Sequence, residues 1–229
     1  MKNKIFLFTL LLSIIILCFF SFVDLKPNLK EKNDIESIKG IDVSHHNKIL
    51  NWSYLKNNVK FIIIKATEGK SYKDPKFNDY WKKSKRYGLV RGAYHFFSYN
   101  TTAEEQFKNF KEQVFLSKGD LPPIVDVEDR RINMDEVNKW CDLVEKHYGV
   151  KPIVYSEFLF FKVLMDGKIK DYKLWIYFDE KYSAIPNFNN YDCVLWQYSH
   201  KGTIKGINGD VDLDSYLHSE DEFNRLLID

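Results

Sequence analysis

The chain has 229 residues, 45% of them hydrophobic and 16% aromatic, and a formal charge of +2. That length supports one well-packed domain. Lysines and acids are interspersed, with no basic stripe, internal repeat or low-complexity domain, which argues against a nucleic-acid-binding module or a repeat array.

The N-terminus differs from the rest. "MKNK" precedes the apolar run IFLFTLLLSIIILCFFSFV, residues 5–23. A basic start before a long apolar run marks export or membrane insertion. No A-x-A-like cleavage site follows, and the run exceeds a usual signal-peptide core. This favours an uncleaved anchor over a cleaved signal peptide. Leu17 before Cys18 argues against a lipoprotein. Residues 24–38 are polar, carry a proline and read as a tether. The working domain, 39–229, is then expected outside the cytoplasm, at the membrane or secreted.

From there strands and helices alternate. GIDVSHH (40–46) reads as a strand and NWSYLKNN (51–58) as a short helix. KFIIIKATEG (60–69) is a continuous apolar run, as in a strand buried on both faces. Residues 75–88 read as a helix with Pro near its start and Gly at its end, and 90–99 as a strand. Residues 102–117 carry a cap-like Thr102 and helical apolar spacing. PPIVDVED (122–129) is the next strand, 133–149 a helix, KPIVYS a strand and EFLFFKVLMDG helical. Three strand-like pieces follow, 173–179, 192–199 and 209–216, with little helix between them; a helix from Asp221 closes the chain.

This alternation predicts a parallel α/β sheet, and about eight strands in this length suggest a barrel at the small end of the size range. An open doubly wound sheet is the alternative. It usually brings a glycine-rich phosphate loop, and neither GxGxxG nor GKS/T is present. Cys141 and Cys193 have no metal-like spacing and sit inside apolar elements, which favours buried free thiols over a disulfide. The six histidines lack metal spacing too.

In barrels of this kind, function collects at the C-terminal strand ends. Those ends carry Asp42 and Ser44, then Glu68, Tyr94 with His95, the trio Asp126, Glu128 and Asp129, and Asp210 with Asp212. Alternation puts Asp126 and Glu128 on one face of their strand. Like charges held close resist ionising together, so one carboxyl stays protonated beside an ionised one. Glycoside cleavage needs such a pair. Pairing with Arg130 and Arg131, or a Mg²⁺ or Ca²⁺ cluster of Asp42, Asp126, Glu128 and Asp212, are the competing readings.

Seven blocks in order, from about Gly40 to Tyr216, resemble the glycoside hydrolase family 25 lysozymes, the Chalaropsis-type N-acetylmuramidases. The blocks are GIDVSHHNKILNW, IIIKATEG, GLVRGAYHFF, PPIVDVED, LWIYF, LWQYS and GINGDVDLDSY. The resemblance implies a TIM-like barrel of five β/α units and three further strands. It implies β-1,4 cleavage of peptidoglycan between N-acetylmuramic acid and N-acetylglucosamine, with retention of configuration. Glu128 would be the general acid. Asp126 would stabilise charge at the anomeric centre, orienting the substrate's own 2-acetamido group. Asp42 and Asp212 would line the cleft floor, and Glu68, Tyr94, His95, Tyr155, Trp175 and Gln197 would line the groove.

No cofactor or metal is implied. The expected partners are peptidoglycan strands and, through residues 5–23, a membrane; nucleic acid is not, and a monomer is expected. Two departures stand out. Many members carry Ala and then Tyr after the Trp-Ile of the sixth strand, where this chain has Tyr177-Phe178. Asp210 stands where Asn is frequent; an extra acid there would raise neighbouring pKa values. A glycan-binding protein without activity, or a membrane-tethered scaffold, are the alternative readings.

Overall fold

The computed structural model describes residues 38–179 and 191–229. The apolar run 5–23 and the tether as far as residue 37 lie outside the described residues, so the reading of an anchor or signal rests on sequence alone. Among the described residues no helix is long and apolar enough to cross a membrane.

Eight strands form a closed barrel. In chain order they are β1 (Ile38–Val43), β2 (Phe61–Glu68), β3 (Val90–Phe96), β4 (Ile124–Asp126), β5 (Ile153–Glu157), β6 (Lys173–Tyr177), β7 (Cys193–Gly202) and β8 (Val211–Tyr216). β1 to β7 run parallel, each beside the next, except that β1 and β7 do not meet. β8 enters between those two, antiparallel to both, and closes the ring. The expectation of a parallel sheet therefore holds for seven strands and fails for the eighth. The short connection Thr203–Asp210 returns the chain directly, and a direct return makes an antiparallel pair.

The helices follow the strands as expected. They are α1 (Trp52–Leu55), α2 (Phe77–Arg86), α3 (Ala103–Gln113), α4 (Met134–Tyr148), α5 (Phe158–Phe160), which runs on into a π-helical turn, Phe161–Met165, and α6 (Glu220–Leu226). Local chemistry sets their ends. Thr102 and Glu105 form a reciprocal capping box at α3, and Ser219 and Glu222 do the same at α6. Asn133 caps α4, and Gly149 ends it at φ 74°, in the left-handed region that glycine enters without strain.

Two apolar layers hold the barrel. The run Phe61–Ile64 is fully buried, yet its members go to different layers. Ile62 and Ile64 pack outward against the helices, with Trp81, Phe110 and Trp140. Phe61 and Ile63 point into the barrel, with Leu121, Ile124, Ile153 and Leu195. Gly40 makes the inner layer possible: a Cβ there would lie 2.1–2.4 Å from atoms of the Phe61 ring. Phe223 of α6 plugs the N-terminal end, against Phe61 and Tyr216 at ring distances of 5.8 and 5.1 Å. Among the described residues the open groove lies at the other, C-terminal, strand ends. Cys141 and Cys193 are buried free thiols, as expected.

Candidate active site

A groove of about 380 Å³ lies across the C-terminal strand ends. Eight of the ten residues expected at the site line it: Asp42, Tyr94, Asp126, Glu128, Tyr155, Trp175, Gln197 and Asp212. Strand register sets their order. Asp126 is opposite Tyr155, Tyr155 opposite Trp175, and Asp42 opposite Asp212.

β4 is shorter than the 122–129 expected, ending at Asp126. Beyond it Val127 is fully buried, while Glu128 turns into the groove and is exposed to solvent there. Asp129 leaves the site altogether. It pairs with Arg131 at 2.5 Å, which brings its carboxyl down to about 2. The competing reading of acid–arginine pairing thus fits Asp129 and leaves Asp126 and Glu128 to the groove.

A buried relay supports the floor. Tyr155 donates its hydroxyl to Gln197 Oε1 at 2.7 Å, and Gln197 Nε2 donates to Asp42 Oδ2 at 2.6 Å. Trp175 packs on Tyr155 with ring centroids 4.5 Å apart and donates Nε1 to Asp214 Oδ1 at 3.0 Å. Asp214 is fully buried, two residues from Asp212 on the same strand.

These acids resist ionisation. Burial raises Asp126 well above the usual carboxylate range, and Glu128 raises it further; Lys65 opposes both. Partial desolvation within the groove raises Glu128 as well, against the Lys65 charge. Asp42 is raised by burial and then by Asp214 and Asp212. Asp212 reaches about 6, chiefly by burial. One oxygen each of Asp126 and Asp214 is buried without a hydrogen-bond partner. Carboxyls drawn together in a concave site thus hold their protons to higher pH than free ones do, the condition for general-acid chemistry. Among the described residues no three His, Cys, Asp or Glu side chains are grouped to hold a metal ion.

Two expected residues fall elsewhere. His95 faces outward. It is fully buried, stacks on Trp140 at 5.5 Å, and bonds Thr67 at 2.7 Å and Gln106 at 3.1 Å. Burial holds it at about 4, so it is a neutral core histidine. Neighbours on a strand point to opposite faces, so once Tyr94 lines the groove His95 does not. Glu68 sits beside the groove lining and holds Lys65 Nζ at 2.6 Å. In a regular strand residues three apart point to opposite faces. A bulge between Lys65 and Thr67 brings this pair to one side.

Sequence reasoning missed Lys65, Asp214 and four other groove residues, His46, Phe96, Tyr177 and His200. Tyr177 and His200 line the groove and share a short hydrogen bond. The Tyr of the altered sixth strand thus lies in the groove. Asp210 is exposed on its turn, where its carbonyl accepts from Asn47, and it is not among the charges acting on the groove acids. The expected influence of Asp210 finds no support in its position.

A helix-ringed barrel with an acid-lined open groove at its C-terminal strand ends is an architecture suited to acid-assisted bond cleavage. Residues 41–207 match the model of Glycosyl hydrolases family 25, and the chain belongs to that family. It is a glycoside hydrolase. Similar proteins include YegX of Escherichia coli, 36% identical over 197 residues that span 81% of this chain and 72% of that protein. The autolytic lysozyme of Clostridium acetobutylicum is 32% identical over 188 residues, 78% of this chain and 56% of that one. Among solved structures, a family 25 glycosyl hydrolase from Bacillus anthracis superposes with a TM-score of 0.78 at 29% identity, covering 86% of this chain and 97% of that one.

Proposed function

We propose that this enzyme is a peptidoglycan N-acetylmuramidase, cutting the β-1,4 bond between N-acetylmuramic acid and N-acetylglucosamine. The observation that carries the reading is the placement of solvent-facing Glu128 beside buried Asp126 within one open groove at the C-terminal strand ends. Glu128 donates its proton to the glycosidic oxygen as the bond breaks. Asp126 lies below, where positive charge grows at the anomeric carbon. It holds the substrate's 2-acetamido group, whose carbonyl oxygen attacks from the opposite face, so water then restores the sugar with retained configuration. Asp42 and Asp212 hold the floor, with Asp42 fixed through Gln197 and Tyr155. Tyr94, Phe96 and Tyr177, each half-buried in the groove, offer aromatic surface to sugar rings. Residues 5–23 deliver the enzyme outside the cytoplasm, as anchor or signal, and 39–229 form the hydrolase domain.

The test is product analysis. Wild type and Glu128→Gln are incubated with purified peptidoglycan, and the products are reduced with borohydride and weighed by mass spectrometry. Fragments ending in reduced muramic acid, absent from the variant, are expected. Fragments ending in reduced N-acetylglucosamine would move the cut to the other linkage. No new reducing ends from folded wild type would replace hydrolysis with binding.

A further inference from the structure

A second cavity, of about 520 Å³, is lined by the segments that follow β4 and β5. Its floor is apolar, from Ile132, Met134, Phe160 and Leu164. Its mouth carries Arg130, Lys168 and Asp135. Arg130 and Lys168 are exposed, and neither has an ion-pair partner among the described residues, although most other cations near this face have one. The volume falls within the range of sites for small molecules and short peptides.

The cavity and the groove have no lining residue in common, but two short stretches of chain connect them. Arg130 is two residues beyond Glu128, on the loop that leads from β4 to α4. Phe160 and Leu164 belong to the helical segment that begins directly after Glu157, and the Glu157 charge acts on Glu128.

We infer that this cavity binds the short acidic peptide carried by the muramic acid that the groove holds. The inference rests on the muramidase reading. Such a peptide joins the sugar through a lactyl ether and offers free carboxylates, small apolar side chains and, at its diamino acid, an amine. Arg130 and Lys168 suit the carboxylates, the apolar floor suits the methyl groups, and Asp135 suits the amine. Peptide-bearing strands are therefore better substrates than naked strands, through contacts remote from the bond that breaks.

The test uses the full chain and two substrates: uncross-linked glycan strands with their peptides, and the same strands stripped by an amidase. Wild type is expected to show the higher kcat/KM on the peptide-bearing strands. The double variant Arg130→Ala/Lys168→Ala is expected to lose about fivefold on that substrate, the scale of two exposed ion pairs, and nothing on stripped strands. Arg130→Lys should recover part of the loss. Equal wild-type rates on both substrates, a variant unchanged on both, or an equal fall on both would each overturn the inference. Wild type without activity on either would overturn the muramidase reading first.

Discussion

Replacing Tyr155 by Phe removes one hydroxyl and nothing else from the floor of the groove. The ring keeps its place on Trp175, 4.5 Å away, so no cavity opens. The loss falls on Gln197, whose buried Oε1 gives up its 2.7 Å donor while Nε2 stays committed to Asp42. A buried acceptor left unsatisfied costs about 1–3 kcal/mol. At this chain length that lowers the unfolding midpoint by about 2–12 °C. Thermal unfolding followed by circular dichroism checks the effect, and an unchanged midpoint would refute the relay.

Three other substitutions or truncations test the remaining architecture. Asp120 meets Arg91 through two bonds of 2.7 and 3.1 Å near the N-terminal strand ends, where Arg91 also lies 3.9 Å from the centre of the Trp81 ring. Asp120→Ala leaves a buried guanidinium unpaired, which destabilises by about 3–5 kcal/mol and lowers the midpoint by about 6–20 °C, while the pH–rate profile at low temperature stays put. Asp214 is raised in the folded state by burial and then by Asp212, so its stabilising share is full below the ordinary carboxylate pKa and is lost as pH rises towards the folded value. Asp214→Asn keeps an acceptor for Trp175 and removes that loss, so its midpoint relative to wild type should climb between pH 4 and pH 8; a constant difference across that range would count against the assignment. A chain of residues 39–229 alone should be soluble and as active as the full chain on dissolved glycan, and insolubility or inactivity would make the leader part of the working domain.

The groove was legible from sequence to the extent that chemistry is written in residue type and position. Acids at the ends of apolar runs mark the open end of a barrel, because such side chains have no place in its layers. That logic found Asp42, Asp126, Glu128 and Asp212. It did not find Lys65, which sits inside the apolar run FIIIKATE and looks like a strand lysine. Its side chain, 13% exposed, shares the inner face with Phe61 and Ile63, and the bulge that brings Glu68 to its side is announced by no residue pattern. Asp214 was passed over because only the pairing of β8 with β1 and β7 takes it into the barrel interior.

What the sequence determined by itself is local and periodic. Strand and helix spacing, the Thr102 and Ser219 caps, Gly149 and the ordered blocks specify a barrel of β/α units with a helix-poor end and an acidic rim. Tertiary structure alone decided which side of each strand is inside. A strand buried on both faces carries apolar residues throughout, so its sequence does not distinguish barrel interior from helix layer. Ring closure does. It sends Phe61 inward and Ile62 outward, brings Tyr94 to the groove and packs His95 against Trp140, and turns β8 antiparallel so that Asp212 meets Asp42 across one pair of strands.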